Sequence, residues 1–551
     1  MKHTTVFAAR RIITMNPAQP VATHVAVRDG RILAVGSLDR MRAWGDFDLD
    51  TRFADKVLMP GLVEGHSHLV AGGLWRFPFV GMHPRTAPDG KVWPGCRNFD
   101  EVVARLREAD ARMADPVEPL FAWGFDPIYF GNDRMTIEHL DRVSMTRSVI
   151  ILHASFHVMN VNSAALSAAQ ITNDTEVDGV VRFEDGRPAG ELREFAAMFP
   201  VLRLIEKIFR ITAASEEGLL MFGRIAQLAG VTTATDLVND LSEDNVRLLR
   251  EVTARPDFPV RLVPAFSALD NPTTREAGAA HVKRCAAMNT EKLHFGAVKI
   301  ITDGAIQSLT ARMRWPGYFN GHENGIWNQP PSELKAAIAF YHSMGLQLHI
   351  HTNGDEAIEL ALDGIAEALA ASPRPDHRHT LQHCQMADAA QFRRMAKLGV
   401  CANLFANHIY YWGDVHYTLT MGPDRAERID ACATALAHGV PLAIHSDAPV
   451  TPLGPIFTAW CAVNRRTSSG RVLGANECIS VEDALRAITL GAAFTLGLDD
   501  RIGSIEVRKF ADFCVLDDDP LAVDPEALKD LRVAGTVLGG QVLERPGSAA
   551  S

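Results

Sequence analysis

Five segments of this sequence close an apolar run on residues that bind metals or move protons. The first runs from Val57 to His68 and ends Glu64-Gly65-His66-Ser67-His68. Residues i and i+2 of an extended chain project to one side, so His66 and His68 can offer two imidazoles to one ion. The other reading is a surface loop that carries two histidines by chance. The second segment, Phe295 to Gly304, sets Lys299 inside an apolar run. A buried ammonium is unfavourable and is pushed towards the free amine. A free amine can take up CO₂ and become an anionic carbamate ligand; alternatively, the lysine keeps its charge and pairs with Asp303 or another carboxylate.

The third segment, Leu346 to Asp355, puts His349 and His351 on one face; the fourth is His379 to His383; the fifth, Pro441 to Pro449, carries His445 and Asp447. Any one of these is explained by a satisfied core histidine or a helix-capping aspartate. Five in order, each closing a β-like run, ask for more than packing. Imidazoles with one or two carboxylates and no thiolate suit Zn²⁺, or Mn²⁺, Fe²⁺ or Co²⁺.

The elements that must position these residues follow from the pattern around them. From Gly230 to Ser446 apolar runs such as Val260–Phe266 and Val400–Leu404 alternate with amphipathic stretches such as Glu243–Thr253 and Glu356–Ala371. Strands apolar enough to be buried on both faces, separated by helices, predict an α/β fold, a parallel (β/α)₈ TIM barrel with its chemistry at the C-terminal strand ends. Both chain ends read as short strands; Asp29-Gly30 is a hairpin turn, and Ala511–Leu516 and Gly535–Leu543 are strand-like. The expected organisation is a small β-sandwich built from residues 1–58 and 500–545, a barrel over 59–499, and an insertion over 72–210 that follows the first barrel strand and covers the barrel mouth.

Composition bounds the function. The 551 residues are 47% hydrophobic and 22% charged, enough for a large core and against disorder. Lys and Arg total 55 against 66 Asp and Glu, a net charge of -11 that offers no basic face to nucleic acid. The eight cysteines form no C-x-x-C pair, which fits neither a disulfide framework nor a thiolate zinc site. Charge interrupts the start before a signal-peptide core forms, and no apolar run reaches spanning length. A cytoplasmic protein that binds no membrane is expected.

The five segments, with Pro60-Gly61-Leu62-Val63 before the first and Ile502-Gly503-Ser504-Ile505 leading to Lys509-Phe510-Ala511-Asp512, resemble the amidohydrolase superfamily over nearly the whole chain. Within it they are similar to the group that includes N-substituted formamide deformylases. The resemblance implies that His66 and His68 hold the more buried metal and that His351 and His383 hold a second. It further implies that Lys299, as a carbamate, bridges the two, and that Asp447 ligates a metal and acts as base towards the attacking water. Zinc, as one or two ions, is the implied cofactor. His349 matches no ligand position. Glu64 stands where the family usually has Asp, His445 where a glycine is commoner, and Arg508 where a small residue is usual.

For the substrate, the resemblance extends to His157, and Trp75 follows the first histidine pair. Tyr410, Tyr411 and Trp412 follow the run Val400–Leu404; three adjacent aromatics in a loop cannot all face a core, which makes them candidate pocket walls, as is His445 beside Asp447. A mainly apolar pocket favours an alkyl or aryl amide over a phosphate ester or charged sugar. The expected activity is hydrolysis of a linear N-acyl or N-formyl amide, with a small-molecule amide as partner and a homodimer as the candidate assembly. A deaminase or cyclic-amide hydrolase on the same barrel, a metal-dependent lyase or decarboxylase, and an inactive scaffold remain the alternatives.

Overall fold

Parallel strands buried on both faces dominate the structure, a computed structural model that describes residues 3–131, 133–208, 214–268 and 274–544. Eight of them form one sheet: β1 (Leu62–Glu64), β2 (Val231–Asn239), β3 (Arg261–Ser267), β4 (Ala297–Ile301), β5 (Gln347–Thr352), β6 (Thr380–His383), β7 (Cys401–Leu404) and β8 (Leu442–Ile444). Each pairs in parallel with the next in chain order from β1 to β8. Helices lie between most of them and bury their apolar stripes against the sheet, with Val298, Ile300, Leu348 and Leu381 fully inside. Burying such a side chain contributes roughly 1.5–3 kcal/mol.

The ends of this sheet meet. Just past β1 and β8, Ser67 and Ala448 form a parallel bridge, and the His68 N–H donates to the Ala448 carbonyl at 2.8 Å. The helices start and stop where capping chemistry says they should. Asp388 and Gln391 form a capping box at the start of Ala389–Leu398, and Gly399 ends that helix with φ 71°.

A second, seven-stranded sheet draws on both ends of the chain. Its N-terminal strands are Thr5–Ile13, Val21–Arg28, Arg31–Gly36 and Asp48–Pro60; its C-terminal strands are Phe513–Leu516, Val533–Leu538 and Gln541–Glu544. The hairpin at Asp29-Gly30 forms with φ 52° and 74°, the left-handed pair that matches strand twist. Arg261 on β3 ties the two sheets together by donating from Nε and Nη2 to both oxygens of Asp512, at 2.7 and 2.9 Å.

Between β1 and β2 the chain builds a five-stranded sheet from Leu120–Phe125, Val149–His153, Val158–Val161, Val180–Arg182 and Pro188–Arg193, with its own apolar core around Trp123 and Leu152. The expected boundaries at residues 1, 210 and 545 fall outside the described residues. Among the described residues no helix is long and apolar enough to cross a membrane.

Candidate metal centre

The C-terminal ends of the barrel strands converge on one cavity of about 290 Å³. Six residues expected as ligands line it: His66, His68, Lys299, His351, His383 and Asp447. The Oδ1 of Asp447 lies 3.3 Å from Nε2 of both His66 and His68. Its Oδ2 lies 3.7 Å from His383 Nδ1, and His383 Nε2 is 3.0 Å from His351 Nδ1. Lys299 Nζ sits 3.4 Å from His66 Nε2. The ligand atoms of His66, His68 and Asp447 fall within 4.8 Å of one another, and so do those of His66, His383 and His445.

These atoms suit a cation. His383 Nδ1 is buried without a hydrogen-bond partner, a state that a metal ion relieves. Burial first, then the nearby Lys299 and the crowding of imidazoles, hold His66, His351 and His383 well below the ordinary histidine range, which favours the neutral form that can give a lone pair to a metal. Burial lowers the Lys299 ammonium to about 7. Burial works against the Asp447 carboxylate, yet the hydrogen bond and charge of His68 keep it below the usual range. His383 and Asp447 both hold positive φ, 69° and 53°. Non-glycine residues reach that region only where surrounding structure enforces it, and such positions cluster at functional sites.

A second layer of polar side chains fixes the ligands. Gln382 accepts at Oε1 from His66 Nδ1 at 2.8 Å and from Asn403 Nδ2 at 2.9 Å, while its amide nitrogen donates to His349 Nδ1 at 2.7 Å. His349 thus serves the site through Gln382. Asp303 accepts backbone N–H groups from Asn353, Gly354 and Arg312 at 2.9–3.1 Å and locks the ends of β4 and β5 together. Of the carboxylates expected to pair with Lys299, Asp303 forms no ion pair with it among the described residues, and the charge that favours its ammonium is that of Asp447.

The cavity wall opposite the ligands is apolar and comes from the segment between β1 and β2. Phe195, Met198 and Leu202 share one face of the helix Glu194–Leu204 and line it with Leu152 and Phe156. His157 lines it too, and its Nδ1 is held 2.9 Å from Glu194 Oε2.

Other expected wall residues stand elsewhere. Trp75 packs on Trp123, ring centroids 5.3 Å apart, and lines a neighbouring cavity. Tyr410, Tyr411 and Trp412 lie in a helix, Asn407–Val415, and not in the expected loop. That helix offers three directions to successive residues: Tyr410 meets Phe457 and Trp460, Trp412 is 2% exposed, and Tyr411 meets His83. None of the three lines the metal cavity. His445 lies behind the ligands, stacked between His66 at 4.7 Å and Phe405 at 4.8 Å, and has no exposed surface.

Asp236 is absent from the expected site residues, although it lines the cavity and lies 3.8 Å from His68 Nδ1. The signal was present, since it closes the run Val231–Asp236 as the other site residues close theirs. The helical spacing of Phe195, Met198 and Leu202 was also readable, but nothing in the sequence says that this face meets the barrel mouth.

Comparison with known proteins agrees with this architecture. A family model described as "Amidohydrolase family" matches residues 54–543. The Protein LONG AFTER FAR-RED 3 of Arabidopsis thaliana is 28% identical, covering 97% of this chain and 90% of that one. An N-substituted formamide deformylase of Arthrobacter pascens is 26% identical over 97% of each. Among solved structures, an uncharacterized metal-dependent hydrolase from Pyrococcus horikoshii OT3 superposes with a TM-score of 0.70 at 18% identity, over 95% of this chain and 99% of that one.

Proposed function

The chain belongs to the amidohydrolase family, and from that premise we propose that it is a metal-dependent hydrolase of non-peptide C–N bonds, acting on linear N-acyl or N-formyl amides of small, partly apolar amines. The observation that carries this reading is the meeting of four imidazoles, a buried lysine and Asp447 on one cavity whose remaining wall is mostly apolar. The A. pascens relative, described as an N-substituted formamide deformylase, favours this substrate class. In this reading residues 59–499 carry the chemistry, 1–58 with 500–545 support them, and 72–210 close the mouth.

His66, His68 and Asp447 would hold one divalent ion, zinc by its ligand preference, and His351 and His383 a second position. Lys299 would join the two as a carbamate. Its free amine adds to CO₂ and one proton is released; the lowering of its ammonium to about 7 leaves the amine available near neutrality. A divalent ion bound here supplies Lewis-acid polarisation of the amide carbonyl and makes a coordinated water acidic near pH 7.

The chain's own groups do the rest. Asp447 takes the proton of the attacking water and delivers it to the leaving nitrogen. Glu194 fixes the His157 ring through Nδ1 and leaves Nε2 to bond the substrate. Phe156, Phe195 and Met198 exclude bulk water and receive the apolar substituent.

The test pairs elemental analysis with a panel of N-substituted formamides and acetamides, using Asp447→Asn as the control. Stoichiometric metal with Asp447-dependent hydrolysis supports the reading. Metal-loaded protein that hydrolyses none of the panel overturns the assignment of the bond.

A further inference from the structure

Arg85 is 8% exposed, and among the described residues its guanidinium meets neither a carboxylate nor any other hydrogen-bond acceptor. Its neighbours are rings, Trp123 at 5.0 Å and Phe79 at 5.8 Å. A guanidinium keeps its charge and presents five N–H donors. Without a protein acceptor these donors are left to whatever fills the space they face, whereas buried arginines are usually paired.

The side chain lines a cavity of about 400 Å³ between the segment after β1, the helix Glu216–Leu228 and the C-terminal residues 529–533. That volume lies in the range of small-molecule sites. The charged residues on its wall are Arg85, Lys529 and Arg532, and no acid faces them. In a chain of net charge -11 such a wall is against the average. Lys529 rests 4.6 Å from the Trp460 ring, and Arg532 reaches Asp517 only at 3.7 Å with its side chain 70% exposed. The rest is mostly apolar, with Trp75, Trp123, Leu453 and Phe457 prominent.

This cavity shares no lining residue with the metal cavity. A gap of about 30 Å³ lies between them, touching Arg85 on one side and Val450 on the other. It is of the order of one water molecule, too small for a substrate tail to pass. The carboxylate on its wall, Asp126, already accepts from the Ile128 N–H and from Trp412 Nε1–H.

We propose that the larger cavity is a second binding site, for a small carboxylate with an apolar or aromatic body, in which Arg85 receives the carboxylate and Trp75 and Phe457 receive the body. The planar fork of the guanidinium matches a carboxylate in two parallel N–H···O bonds. Lys529 at the rim adds attraction on approach. The site depends on neither the metal nor the amide chemistry.

The experiment is calorimetric titration of the metal-loaded, full-length protein with phenylbutyrate, phenylbutanol and inorganic phosphate. Phenylbutyrate should bind, with the neutral alcohol and the phosphate much weaker. Arg85→Met keeps the apolar stem and removes the donors, so affinity should fall about 30-fold, as for loss of a charge-assisted pair. Metal content and amide hydrolysis should stay unchanged. Carboxylate bound to the metal instead would give equal affinity in wild type and Arg85→Met, which overturns the proposal. Lys529→Glu alters an exposed residue and keeps the test decisive if Arg85→Met does not fold; it should weaken binding about fivefold, the scale of a rim charge. Unchanged affinity there, no binding to wild type, or equal affinity for the alcohol or for phosphate would each overturn the assignment.

Discussion

Ser446 gives both its backbone N–H and its hydroxyl to Glu64, at 3.1 and 2.7 Å, and so ties the end of β8 to the end of β1 directly beneath the metal ligands. Burial raises the Glu64 carboxyl to about 8, against the hydrogen bonds it accepts from Ser446. Glu64→Gln keeps the shape and a hydrogen-bonding end towards Ser446 and should leave the thermal midpoint within a few degrees. Glu64→Ala leaves the buried Ser446 groups unpaired and opens a void, for a loss of about 2–4 kcal/mol. Scanning calorimetry of the two variants checks the difference, and metal content should fall only in Glu64→Ala.

Removing one imidazole of the chelating pair should remove the metal. His66→Ala is expected to lose bound metal and hydrolysis together, and elemental analysis of the purified variant checks it. Lys299→Ala should lose activity as well, with partial recovery on adding short carboxylic acids that replace the carbamate oxygens. A wild-type level in Lys299→Ala without such acids would contradict a bridging role.

The apolar wall should set substrate choice. Phe195→Ala or Met198→Ala removes surface that meets the apolar substituent and should raise KM about tenfold for amides with aryl or long alkyl groups, with kcat little changed. Small amides such as N-methylformamide should barely respond. Steady-state kinetics across a chain-length series reads the difference.

Asp126 gives stability a pH dependence away from the metal. Burial raises its carboxyl from the ordinary 3.8 to about 7, against the hydrogen bonds from Ile128 and Trp412. The folded state therefore binds the proton more tightly than the unfolded chain does. The stability this confers is fully present below about pH 3.8, declines as pH rises and is lost through about pH 7. The midpoint difference between wild type and Asp126→Asn should shift against wild type from pH 5 to pH 8, and a constant difference would contradict it.

Much of the barrel was legible because buried parallel strands read as apolar runs, and because each site residue ends one. Pairs such as His349 and His351 show the limit of that reading. Both share a strand face; one reaches the cavity while the other bonds Gln382, a distinction of depth along the strand that periodicity does not carry. Tyr410–Trp412 departs from the expected loop because a helix turns successive residues by about 100° and finds each ring a separate neighbour. Trp75 and His445 show a related limit. Closeness in sequence to a ligand gave no information on which side of it the ring would lie.

The central claim is that Asp447 is both ligand and proton shuttle, and the most direct measurement is single-turnover hydrolysis of an N-substituted formamide by Asp447→Asn with metal content determined on the same sample. The amide side chain keeps one oxygen towards His66 and His68 but cannot accept the proton. The account predicts a folded protein that retains metal and turns over about 10²–10⁴-fold more slowly, the range for a positioned acid–base group. A metal-loaded Asp447→Asn protein that hydrolyses the substrate at the wild-type rate would contradict it.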